Sequence, residues 1–137
     1  MSVHQEEQNT IDILIRKVME KHPDIRLSIL FGSLAHNEAR AESDLDLAVS
    51  ADAPLDSASK MQLIEDLAAA TGRPVDLVDL RSAGEPLTGE ILRKGRRITG
   101  DPSRHAFYIT RHLLDQADFM PYRKRILDER RTAWIGR

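Results

Sequence analysis

With 137 residues, 41% of them apolar, and no cysteine, the chain has the size of one globular domain and excludes disulfides, thiolate metal sites and a cysteine nucleophile. Its net charge of −2 conceals an imbalance: from Arg93 onward there are 12 Lys/Arg against 5 Asp/Glu, a balance of +7, which leaves −9 on the rest. An acidic body with three Phe, two Tyr and one Trp argues against a broad nucleic-acid groove, whereas the basic third suits a polar or acidic partner or is simply a solvated helix face. The N-terminus is polar and acid-bearing rather than a signal peptide, and no apolar run approaches bilayer-spanning length. A soluble cytoplasmic protein is therefore expected.

In chain order, Ile11, Leu14, Ile15, Val18 and Met19 recur at helical spacing, so the pattern predicts an amphipathic helix over about 7–21, with Pro23 after its end. Arg26 to Phe31 reads as a short buried strand broken by Gly32-Ser33, and 36–43 as a polar loop. Asp44 to Ser50 alternates at period two, which predicts a second strand. Leu55 to Thr71 predicts a second helix stopped by Gly72, and Val75 to Leu80 a third strand. Pro86 to Lys94 reads as a short helix ended by Gly95, and Arg96 to Thr99 as an edge strand. Asp101-Pro102 then caps a final helical region in which Pro121 forces a kink. The expected fold is α/β, a small mixed sheet backed by helices. It forms a single domain over 1–137, with a core over about 7–100 and a C-terminal helical segment over about 101–137.

The chemistry concentrates in Leu30-Phe31-Gly32-Ser33, ten residues, then Asp44-Leu45-Asp46. Residues two apart on a strand share a face, so Asp44 and Asp46 stand together while Leu45 and Leu47 point to the core. Two adjacent carboxylates repel unless a cation lies between them, and Mg²⁺ suits the place because it takes hard oxygen ligands from one or two carboxylates and from phosphates. A glycine after a strand allows close approach of the backbone, and Ser33 adds a hydroxyl at the start of a helical turn whose N–H groups attract phosphate. Asp76, flanked by Val75 and Leu77, reads as a buried acid in need of a partner. It is assigned as a third metal contact or as general base for an acceptor hydroxyl. Asp79 falls on the other face and is read as a turn or edge residue. His36 is read as an exposed loop residue, His105 and His112 as a surface stripe rather than a metal site, Tyr122 and Trp134 as docking or packing residues, and Arg96-Arg97 as facing solvent or a partner in preference to steering the triphosphate.

The run GS-x10-D-x-D, with an apolar strand before it and V-D-L-V-D-L after it, resembles the nucleotidyltransferase superfamily of DNA polymerase β and the aminoglycoside nucleotidyltransferases. The small size resembles its minimal nucleotidyltransferase subgroup, and within that the MntA-type antitoxins, which pair with HepT toxins, ribonucleases of the HEPN type. The resemblance covers about 27–80 well, and 91–98 and 118–122 more loosely. It implies a polymerase β-like core in which Gly32 and Ser33 contact the NTP phosphates, Asp44 and Asp46 bind Mg²⁺, and Asp76 completes a carboxylate triad. Arg40 stands where the family often carries a nucleotide-binding arginine, and Leu34 where it often carries an aromatic residue. The implied activity is transfer of AMP from ATP to a tyrosine hydroxyl of a HepT-like partner, in a homodimer or a hetero-oligomer with the toxin. The rivals are a stoichiometric binding antitoxin without transfer, and a nucleotidyltransferase acting on small molecules or nucleic-acid ends. The segment from Arg104 to Arg137 is expected to dock the partner, with Phe107, Ile109, Leu113, Leu114 and Phe119 as apolar anchors and Arg111, Arg123, Lys124, Arg125, Arg130 and Arg131 as a charged rim.

Overall fold

The computed structural model describes residues 3–36 and 43–117. In order, the elements are α1 (Val3–Glu20), β1 (Ile25–Phe31), a 3-10 turn (Ser33–Ala35), β2 (Leu45–Ala51), α2 (Ser57–Thr71), β3 (Val75–Asp79), α3 (Leu87–Lys94) and β4 (Arg96–Gly100). A further helix, α4, is described over 102–117. The chain divides into two compact units, Met1–His105 and Ala106–Arg137, and the sheet with α1 to α3 lies in the first.

The sheet order is β3-β2-β1-β4. β1 runs antiparallel to both its neighbours, and β2 and β3 are parallel. The parallel pair requires a crossover, and α2 supplies it, as in any βαβ unit. The mixed sheet with helices agrees with the expected fold class. One face is packed by α1 and α2. Ile11, Ile15, Val18 and Met19, three and four apart, meet Leu63 and Leu67 of α2 over Leu45, Leu47, Val49, Leu77 and Ile98 of the strands. α2 begins two residues later than its apolar pattern suggests because Asp56 caps it, Oδ1 accepting from Ser59 N at 2.7 Å. It ends at Gly72, in the left-handed region at φ 68°, with its N–H donating to Ala68 O. Leu67 is wholly buried in this layer. Leu67→Ala should cost roughly 2–5 kcal/mol, read as a lower urea midpoint at unchanged slope.

Outside that layer, polar contacts tie the strand ends together. Asp52, after β2, accepts from Arg26 Nε at 3.0 Å and from Arg104 Nη2 at 2.9 Å. Ser103 N donates to Asp101 Oδ1 at 2.8 Å, which is the expected cap of α4. Arg96 departs from expectation: its Nη2 pairs with Asp12 Oδ1 of α1 at 2.8 Å, so it is spent on an internal ion pair rather than offered to solvent or a partner. The partner lies 84 positions away, beyond the reach of any local pattern. Arg97 is exposed, as expected. Pro121, Tyr122, Trp134, Phe119 and the basic residues from Arg123 onward fall outside the described residues, as does Arg40.

Candidate active site

The site is built where β1 ends. Phe31, the last residue of β1, sits opposite Asp46 of β2, and Asp46 is in turn the rung partner of Asp76 across the parallel β2–β3 ladder. Leu45, Leu47 and Val49 enter the helix-covered core, so alternation directs Asp46 to the other face of the sheet, and the shared rung puts Asp76 on that same face. Three consecutive strands of the sheet, β1, β2 and β3, thus bring the Gly32 turn, Asp46 and Asp76 into one row. Asp44 lies just before the first residue of β2 rather than inside it. Its charge nonetheless acts on Asp46 from that position.

Gly32 is set by this row. Its φ of 73° lies in the left-handed region, and a Cβ added there would overlap Asp46 Oδ2 and stand 3.0 Å from Asp46 Cγ. The glycine therefore makes room for a carboxylate of its own chain, in addition to offering the close backbone approach expected for a ligand. After it the chain enters the 3-10 turn Ser33–Ala35, held by Ala35 N donating to Gly32 O at 3.1 Å. Leu34 of that turn is buried and anchors it in the core, while Ser33 stays partly exposed at its start. Leu34 thus occupies the core, an inward-facing role that an aromatic side chain offered to a base would not have.

Asp46 is half-buried; Asp44 and Asp76 are exposed. Asp76 is thus not the buried acid that its apolar neighbours suggest. β3 is an edge strand and Asp76 its second residue, so the face it occupies is open to water. Its claim to a role rests on sharing a rung with Asp46. Burial first, then the charges of Asp76 and Asp44, push the Asp46 carboxyl above its ordinary value. Asp79 has a structural part. Its Oδ2 accepts from Leu55 N at 3.3 Å and its Oδ1 from Arg81 N at 2.9 Å, which tie the end of β3 to the entrance of α2. Burial and the charge of Arg97 hold the His105 imidazole below its ordinary value, which favours the neutral ring.

The raised carboxyl has a consequence for stability. The folded protein holds the Asp46 proton more tightly than the unfolded chain does, so the stability linked to this group is fully present below the unfolded pKa and is lost as pH rises through the folded one. Asp46→Asn should therefore raise the Tm at neutral pH, and the gain should fade as pH falls into the carboxylate range. Asp66, lowered by its hydrogen bond to His22, acts in the opposite sense. The informative quantity is thus the difference between variant and parent in thermal melts across pH. A variant less stable than the parent at neutral pH contradicts the repulsion.

Among the described residues no group of three or more His, Asp or Glu is gathered so as to hold a metal ion. The donor set nonetheless fits Mg²⁺: all three acids offer hard oxygen, and two of them already repel the third. An ion that commonly takes one or two carboxylates and completes its shell with phosphate and water needs no closed protein cage. Among the described residues no helix is long and apolar enough to cross a membrane.

The site is thus a glycine turn beside a carboxylate row on two strands. The family profile described as polymerase beta nucleotidyltransferase matches residues 14–103. The chain belongs to the polymerase β nucleotidyltransferase family. All the residues of the carboxylate row and the Gly32 turn fall inside the matched segment. The protein adenylyltransferase MntA of Shewanella oneidensis is 29% identical over 116 residues, which cover 85% of this chain and 84% of that protein. A crystal structure of a toxin–antitoxin with AMP-PNP superposes with a TM-score of 0.74 at 29% identity, covering 86% of this chain and 96% of that one. A tri-AMPylated Shewanella oneidensis HEPN toxin in complex with MNT antitoxin matches with a TM-score of 0.65 at 29% identity, covering 93% of this chain and 98% of that one. These findings agree with the resemblance carried by the GS-x10-D-x-D run.

Proposed function

We propose that this nucleotidyltransferase is an antitoxin that moves AMP from ATP to a tyrosine hydroxyl of a cognate HEPN-type ribonuclease, in the cytoplasm, and so neutralises it. The observation that carries this is the Asp46–Asp76 rung set against the Gly32 turn. It is supported by the likeness to a protein adenylyltransferase and to a chain of the complex between a tri-AMPylated HEPN toxin and an MNT antitoxin.

In this reading Gly32 and Ser33 receive the triphosphate. The turn offers backbone N–H groups and the Ser33 hydroxyl, and the absence of a side chain at Gly32 lets phosphate and the Asp46 carboxylate lie close. Asp44, Asp46 and Asp76 would hold Mg²⁺, which when bound neutralises phosphate charge and favours a good leaving group. Asp76, exposed on the edge strand, would either complete that metal set or accept the proton of the acceptor hydroxyl. The hydroxyl oxygen bonds to the α-phosphorus, the bond from that phosphorus to the bridging oxygen breaks, and pyrophosphate leaves. Most of the rate gain is positional and electrostatic. Arg40 is the further residue we assign to the nucleotide. The test is to incubate protein, cognate toxin and Mg²⁺ with ATP labelled on either the α- or the γ-phosphate. Only the α-label should appear on the toxin. Transfer of the γ-label would mean phosphorylation and would overturn the reading.

The docking surface we assign is on α4. Phe107 and Leu114 are seven residues apart and Ile109 and Leu113 four apart, so the four fall on one broad arc. That arc is open: the side chains are 57%, 58%, 37% and 60% exposed. An apolar arc with Arg111 beside it has the composition of an interface centre. Replacing both Leu113 and Leu114 with Asp should weaken toxin binding by at least about tenfold and leave AMP-PNP binding unchanged, both measured by calorimetry. Unchanged toxin affinity would remove α4 from the interface.

A further inference from the structure

Asp44 differs from the other acids of the row in how its backbone is held. Asp46 and Asp76 sit within paired strands, whereas Asp44 precedes Leu45, where the β2–β3 ladder starts. Its position is fixed by two bonds from the segment entering β3. Leu45 N donates to Pro74 O at 2.8 Å, and Arg73 Nη1 donates to Ser43 O at 2.9 Å. These bonds grip the chain on either side of Asp44. The first is a backbone rung, available whatever the side chain at 74. The second depends on the side chain at 73 and extends the grip to Ser43, two residues before the ladder starts. The bond is partly buried and comes from a guanidinium, which makes it stronger than a neutral bond in water. Pro74 restricts the backbone of Arg73 to the extended region, so the arm that makes the contact starts from a fixed base.

We infer that Arg73 is a positioning residue that holds the Ser43–Leu45 backbone so that the Asp44 carboxylate is pre-set for the metal of the nucleotide site. A carboxylate on a loosely held backbone must lose conformational freedom when it coordinates, and that loss weakens the metal and slows the reaction that needs it. Arg73 touches neither nucleotide nor acceptor in this role. The inference rests on the proposed nucleotidyl transfer, and it adds a residue that the GS-x10-D-x-D run does not contain.

The test uses the full chain as parent, Arg73→Met, which keeps the stem without the donor, and Arg73→Lys, which keeps a charged donor. Two quantities are read: Mn²⁺ binding to the AMP-PNP complex by calorimetry, and the Mg²⁺ concentration giving half-maximal AMP transfer. Arg73→Met should weaken Mn²⁺ binding and raise the Mg²⁺ requirement by about tenfold each, the size of a lost hydrogen bond to a charged group, with Arg73→Lys in between. Thermal melts check that each variant is folded; should Arg73→Met not fold, Arg73→Lys carries the same comparison with the parent. A folded variant with parental Mn²⁺ affinity overturns the inference, and so does Arg73→Lys impaired as fully as Arg73→Met. A parent that binds Mn²⁺ with AMP-PNP but transfers no AMP overturns the functional reading instead, so the two failures are distinct.

Discussion

Asp46→Asn is expected to reduce AMP transfer by about a thousandfold or more, the scale on which removing one preorganised electrostatic element from an active site is felt. The protein should nevertheless remain folded. Asp46 is the most buried of the three acids and the one pressed by both others, so asparagine relieves repulsion while it removes a ligand. Loss of activity with equal or higher Tm is the signature that separates a site residue from a core residue, for which the two fall together. Asp44→Asn should show a similar loss of transfer. The measurement is initial rate at saturating ATP beside a melting curve at the same pH. A variant at Asp46 that keeps its rate would move the chemistry away from the β2–β3 rung.

Gly32→Ala is expected to disable the protein by a different route. A left-handed φ in a residue with a Cβ costs about 1–3 kcal/mol by itself. Here the new Cβ would also overlap the Asp46 carboxylate. The backbone or the carboxylate must then move, and either movement breaks the row. Both stability and transfer should fall, transfer by at least about a hundredfold because a displacement of about an ångström at a reacting centre has that effect. The double variant Gly32→Ala with Asp46→Gly removes the overlap. It should recover part of the lost melting temperature, the share due to that overlap, while the φ cost remains and transfer is not restored. If Gly32→Ala alone melts like the parent, the close approach does not constrain the turn.

Much of the fold was legible because its periodicities are clean. Ile11, Ile15, Val18 and Met19 mark a helix face, and Leu45, Leu47 and Val49 mark a strand face. The cap at Asp101 and the stop at Gly72 are where their residue types place them. What alternation cannot tell is where pairing begins or which strand lies at the edge. Asp44 therefore reads as the first residue of a strand although it stands before the ladder, and Asp76 reads as buried although β3 has a neighbour on one side only. Both follow from the strand order, a long-range property. The start of α2 was legible in principle, since Asp56-Ser57 is a cap sequence preceding the apolar pattern. The Arg96–Asp12 pair and the Arg73 contact to the Ser43 carbonyl were not. They join residues 84 and 30 positions apart, and an arginine before a proline carries no local sign of its partner. The candidate site was legible in composition, Gly32, Ser33, Asp44, Asp46 and Asp76. The structure adds the reason for the glycine, which is the Asp46 carboxylate itself.

Catalysis and simple binding make opposite demands on the toxin. The most direct measurement is the intact mass of the cognate HEPN toxin after co-expression with the parent protein and, separately, with Asp46→Asn. The expected result is toxin carrying one or more AMP groups and stripped of ribonuclease activity with the parent, and unmodified, active toxin with the variant. Unmodified toxin that is nonetheless silenced by both proteins would contradict neutralisation by transfer and establish neutralisation by binding alone.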